Sequence, residues 1–94
     1  MLNKTLIQEA LTSQDRAAFF AAHDEEAETL DRIWNVAHIT IKEIRQYTGL
    51  TQAAFAESFF IPKRSIENWE GGTRDCPPYV RLMLAQITGA AEWM

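Results

Sequence analysis

The chain has one cysteine, Cys76, so no disulfide can form within it. A metal cluster is excluded on the same ground. One thiolate supplies too few ligands, and His23 and His38 are not spaced as ligands with Cys76 or with each other. No metal and no cofactor are expected. No apolar run approaches the ~18–20 residues that cross a membrane. The opening stretch MLNKTLIQEALTSQ has no long apolar segment and no clear small-residue cleavage site, so no secretion signal is read in it. A reducing cytoplasm is the expected location. The alternation of Val and Thr that marks strands is missing. So are paired carboxylates with a cleft signature, a glycine-rich phosphate loop and a nucleophile–histidine arrangement, and an enzyme is not expected.

Excess positive charge is also lacking: the net charge is −4. By bulk charge this is not a nucleic-acid binder. The acid is unevenly placed, however. Residues 1–39 hold seven acids (Glu9, Asp15, Asp24, Glu25, Glu26, Glu28, Asp31) against three bases (Lys4, Arg16, Arg32), whereas residues 40–94 hold six of each. A local positive face can therefore exist in the second part. Apolar residues make up 47 % of the 94, enough for a modest core and for one domain with an extension.

Nearly every window has helical periodicity, and an all-α fold is expected. A first helix is predicted over about 3–12, with Leu6, Ile7, Ala10 and Leu11 at helical spacing. Ser13 is the expected N-cap of a second helix through AAFFAA, and Asp24 that of a third. The third carries the stripe Ala27, Leu30, Ile33, Trp34, Ala37, which either docks on a core or contacts a partner. Thr40 is predicted to cap a helix through about Tyr47 with Ile41 and Ile44 inward, closed by Gly49. Thr51 opens TQAAFAESF, with Ala54, Phe55 and Phe59 inward. PKRSIENWE follows after a few residues, with Pro62 in its first turn and Gly71-Gly72 at its end. CPPYVRLMLAQITG is the last helix, opened by Pro77-Pro78 and stopped by Gly89. Val80, Leu82, Leu84 and Ile87 are its expected core residues.

Two short helices joined by a tight turn and flanked by others make a helix-turn-helix pattern. Residues 41–74, IKEIRQYTGLTQAAFAESFFIPKRSIENWEGGTR, resemble the Xre/Cro-type, lambda-repressor-like helix-turn-helix domain. The matching features are Arg45, then Gly49-Leu50-Thr51-Gln52, Phe55-Ala56 and Phe59, then Ile61, Ile66, Trp69, Glu70 and Gly72. The likeness covers about 34 residues, or about 50 with the closing helix. It implies a lambda-repressor-like bundle over residues 39–94, acting as a DNA-binding domain, with an additional acidic helical segment over 1–38.

In that family the recognition helix enters the major groove. By resemblance the base-reading positions fall on Lys63, Arg64 and Asn68, with Glu67 beside them. Arg and Lys donate to guanine, and Asn pairs with adenine. Glu67 either accepts from cytosine N4 or pairs with Lys63. Taken alone, Lys63-Arg64 would read as plain surface. Thr51, Gln52, Gly72, Thr73 and Arg74 match phosphate-contacting flanks, and Gln52 also buttresses the recognition helix in the family. Arg45 and Glu70 match a structural ion pair. Phe60 departs from the pattern, since the family commonly has glycine there, in a turn that often needs φ > 0. Either the turn differs, or Phe60 is packed well enough to offset the strain. Pro62 stands where Ser or Thr often caps. Only AAEWM follows Gly89, where the family often has a further dimerising helix, so residues 1–38 are candidates to supply that contact.

The implied function is a sequence-specific double-stranded DNA-binding transcription regulator, a repressor or antitoxin-like autoregulator acting as a homodimer. The alternative is a protein-interaction module that holds a basic partner, such as a toxin, through residues 1–37.

Overall fold

A computed structural model describes residues 4–92, and the described residues are all-helical, with no strand. Seven helices follow one another: α1 (Lys4–Thr12), α2 (Arg16–Ala21), α3 (Ala27–His38), α4 (Ile41–Thr48), α5 (Gln52–Ser58), α6 (Lys63–Gly71) and α7 (Pro78–Thr88). Position 3, expected to open the first helix, and the last two residues of AAEWM lie outside the described residues. No described helix is long and apolar enough to cross a membrane.

The first three helices close over one core. Leu6, Ile7 and Ala10 of α1 meet Phe19 of α2 and Leu30, Ile33 and Ala37 of α3. These sit on the α3 stripe expected from sequence, and the stripe docks within the chain. Trp34 packs at the edge of this core, its ring 5.5 Å from Phe19 and stacked on His38 at 4.0 Å. His38 Nε2–H donates to the Ala10 carbonyl (2.6 Å), which pins the end of α3 to α1. The expected caps differ here. Asp15, not Ser13, caps α2, accepting from Ala18 N at 3.2 Å. The Ser13 hydroxyl is instead turned onto the Asp15 backbone. α3 starts after Glu26, without a side-chain cap, and not at Asp24. In the acid-rich run Asp24-Glu25-Glu26 several residues favour a helix start through the dipole, so residue type alone cannot choose among them.

The other four helices close over a second core of Ile41, Ile44, Phe55, Ala56, Ile66, Leu84, Ala85 and Ala91, joined by Val36. Here local chemistry sets the boundaries. Thr40 and Glu43 form a reciprocal capping box at the start of α4. Thr51 caps α5 by accepting from Ala54 N (3.1 Å). Gly49 ends α4 at φ 75°, a conformation that costs a residue with a Cβ about 1–2 kcal/mol. On α5, Ala56 is fully buried and Ala54 only partly so. Ile87, expected in the core, lies on the outer face of α7 and is 66 % exposed, while Ala85 takes the buried place. In the apolar run VRLMLAQI more than one face satisfies the helical period, so the pattern does not say which face is inward.

Val36 and Ala37 are neighbours on α3 yet belong to different cores, and Leu82 packs against both. Arg81 of α7 adds a polar tie. Its Nη1 donates to the carbonyls of Val36 (3.1 Å) and Ile39 (3.0 Å), satisfying the end of α3.

Candidate nucleic-acid interface

The candidate site is built on α5, the turn 59–62 and α6. α5 and α6 pack on each other through Phe55, Ala56 and Ile66 at the base of the second core. Pro62, at φ −57° and ψ 133°, stands just outside α6 as its N-cap residue and not within the first turn. Its carbonyl accepts from Ser65 N (2.9 Å), and its extended geometry forces the chain to break there.

The turn answers the question posed by Phe60. Ile61 N–H donates to Ala56 O (2.9 Å) and Phe60 N–H to Glu57 O (3.3 Å), the two bonds of a Schellman helix end. That motif needs a left-handed residue at its C′ position, and Phe60 occupies it at φ 56°. The turn therefore keeps the glycine-like geometry. Nor is Phe60 packed: it is 95 % exposed. A bulky residue in this conformation costs about 1–2 kcal/mol, and no contact within the chain offsets it.

On α6, Ile66 is fully buried. At 100° per residue, Arg64 and Asn68 each lie roughly 160° from Ile66, on opposite sides of it, so they define the outward face. Glu67 and Lys63 lie to one side of that face, roughly 100° and 60° from Ile66. Lys63, Arg64 and Glu67 are exposed, and no ion pair joins Lys63 to Glu67. Asn68 is half-buried. Its Oδ1 accepts from the Thr73 hydroxyl (3.1 Å), and its carbonyl accepts from Thr73 N (3.1 Å). Asn68 and the Gly72–Arg74 loop are thus one hydrogen-bonded unit. Gly72 makes the reversal possible at φ 80°. Arg74 is exposed beside it.

Behind the face, Arg45 and Glu70 form a two-pronged ion pair, Nε to Oε2 at 2.7 Å and Nη2 to Oε1 at 2.8 Å. The Glu70 side chain is 6 % exposed and that of Arg45 17 %. Arg45 Nη1 also donates to Leu50 O (3.0 Å), and Gln52 Nε2 donates to Glu70 Oε1 (3.3 Å). The hydrogen bond from Arg45 holds the Glu70 carboxyl below the ordinary glutamate range, against the opposing effect of burial. Arg45 is raised in turn by the same bond. α4, the start of α5 and α6 are therefore locked by one charge-assisted network, and Glu70 presents no free negative charge to the outside.

Thr51 stands exposed at the start of α5, and the half-buried Gln52 follows it. Of the residues singled out from sequence, Lys63, Arg64, Glu67 and Asn68 gather on α6, and Gly72, Thr73 and Arg74 follow at its end. Gln52 is brought to the same assembly through Glu70, and Thr51 precedes it as the α5 cap. Among the described residues no group of three His, Cys, Asp or Glu side chains could hold a metal ion. A polar cavity of about 500 Å³ lies between the α3–α4 corner and the α6–α7 loop, lined by His38, Thr40, Trp69, Asp75, Cys76 and Arg81 among others. Burial pushes the Cys76 thiol up and Arg81 down. Sequence reasoning missed Arg81. The signal available was a lone Arg between Val80 and Leu82 on an apolar helix.

Comparison with protein-family models, curated proteins and solved structures finds no match in any of the three.

Proposed function

We propose that the chain is a sequence-specific double-stranded DNA-binding transcription regulator of the lambda-repressor-like helix-turn-helix type, with residues 62–70 entering the major groove. It acts as a homodimeric repressor that occupies its operator. The observation that carries this reading is the face of α6: Arg64 and Asn68 point away from buried Ile66, with Lys63 at the leading end. A network running through Arg45, Gln52 and Glu70 keeps this helix from rocking. Arg64 offers a two-pronged donor to guanine, and the Asn68 amide offers a pair to adenine. Gln52, Thr51, Thr73 and Arg74 flank the face and supply phosphate contacts.

The alternative, a module that binds a basic protein through residues 1–37, is less well supported. The apolar stripe of α3 is already spent on α1 and α2, which leaves exposed acids alone for a partner.

Alanine at Arg64 or at Asn68 should weaken binding to a site enriched from random DNA by about 1–3 kcal/mol each and relax the base preference at one position. Arg74→Ala should weaken all sequences alike and reduce the salt slope by about one. Circular dichroism should be unchanged in the Arg64 and Arg74 variants, since both residues are exposed. Equal affinity of all three variants and the unaltered protein would refute the assignment.

A further inference from the structure

The strained Phe60 lies beside a second unexplained feature. Tyr79, Met83 and Ile87 recur every four residues along one face of α7 and are 68 %, 55 % and 66 % exposed. Next to them Phe59, Ile61, Val80 and Leu84 complete a groove of about 250 Å³ without a charged residue in its lining. Phe59 and Ile61 are the immediate neighbours of Phe60. A projecting aromatic residue thus stands in the chain between two residues of an apolar groove, and its own ring is not part of the groove's lining.

We propose that this face is the contact between two copies of the chain, with Phe60 of each copy seated in the groove of the other. Three observations support a second copy as the occupant. Knob and groove adjoin through Phe59 and Ile61, so one two-fold axis can satisfy both at once, as an isologous interface requires. A void of about 150 Å³ takes a benzene ring, so the groove has room for the phenyl group. Four side chains this exposed leave on the order of 500 Å² of apolar surface, and two copies together cover roughly 1,000 Å², the lower bound of a specific interface. The left-handed conformation of Phe60 then has a function: it turns the ring outward, where a residue in ordinary geometry would not project. The contact lies three residues before Lys63, and not on residues 1–38. It supplies the dimer that the proposed function calls for and rests on that reading only for its purpose.

Sedimentation equilibrium of the full chain without DNA tests it, at concentrations up to about 500 µM. A monomer–dimer equilibrium is expected within that concentration range. Phe60→Gly should raise the dimer Kd at least about tenfold, as loss of a central aromatic anchor does. Its unfolding midpoint should not fall, because glycine suits φ 56°. Met83→Glu should abolish the dimer. A chain that stays monomeric throughout, or a Phe60→Gly variant with an unchanged Kd, would overturn the proposal. Arg64→Ala should leave the dimer untouched. If DNA binding fails while the dimer forms, the functional reading falls and this inference stands. If a DNA site is bound with base preference while the chain stays monomeric in sedimentation, the base-reading face stands and this inference falls.

Discussion

The core beneath α1–α3 and the core beneath α4–α7 are both aliphatic with a buried phenylalanine, but the helices around them are held differently. In the second, Thr40 and Thr51 cap the helix starts, left-handed Gly49, Gly72 and Gly89 close the ends, and a two-pronged ion pair ties α4 to α6. In the first, Asp15 caps α2, α3 has no side-chain cap and no left-handed glycine closes a helix, while in the second α6 and α7 also start without a side-chain cap. His23, its side chain only 16 % exposed, lies between the carboxylates of Glu9 and Glu25, and the Arg16–Asp31 pair at 2.6 Å is peripheral, both side chains exposed. Exposed pairs of that kind contribute at most about 1 kcal/mol. The half that carries the candidate reading face is thus fixed by a dense set of local, directional interactions, and the acidic half chiefly by apolar contact, with the Asp15 cap and the His38–Ala10 bond as its polar ties. A helix that must present side chains to a groove needs the first kind of support, because small tilts move base-reading atoms out of reach.

The widest separation between the halves should come from their phenylalanine and leucine anchors. Phe55→Ala, at a fully buried position, should cost about 3–5 kcal/mol and lower the melting of the whole chain. Leu30→Ala should cost about 2–4 kcal/mol. Hydrogen exchange should show its effect as lost protection in 4–21, with 52–71 still protected. Equal loss in both halves would mean that the two cores form one cooperative unit through α3.

The ion pair comes next. Glu70→Ala should cost about 3 kcal/mol in a thermal or urea melt, because it strands a desolvated Arg45. The sign of the pH dependence follows from the lowered Glu70 pKa. Its stabilisation is complete above the ordinary glutamate value and is lost as pH falls through the folded-state value. Glu70→Gln should therefore show a shallower acid loss than the unaltered chain, and parallel curves would remove the pair from the account.

The smallest difference is at the caps. Thr40→Ala should cost about 1 kcal/mol. Arg16→Ala should cost less than about 0.5 kcal/mol, although its ring contact with Phe20 and its bond to Asp31 are both lost. Urea midpoints for the two, side by side, check this.

The same contrast governs what could be read before the fold was known. Thr40, Gly49, Thr51 and Gly89 act within four residues of their partners, so their types and spacing suffice. The start of α3 was not readable, because Asp24, Glu25 and Glu26 offer equivalent local electrostatics and tertiary packing decides. Arg81 was invisible for a different reason, since its acceptors on Val36 and Ile39 lie 45 and 42 residues away. The face of α7 was misjudged at Ile87 because an almost wholly apolar helix has no polar side to orient it. Phe60 falls between these cases. A positive φ was one of two readings the turn left open, and the exposure of its ring was not legible, because nothing local decides what the ring meets. On α6, spacing placed Arg64 and Asn68 outward, but it did not reveal that Asn68 is tethered to Thr73.

Selection of bound sequences from random double-stranded DNA tests the central claim most directly. A two-fold-symmetric motif should be enriched, its half-sites centred one helical turn apart, about 34–36 Å. Its guanine and adenine positions should lose preference in Arg64→Ala and Asn68→Ala, respectively. No enriched motif, at low salt as well as high, would contradict it.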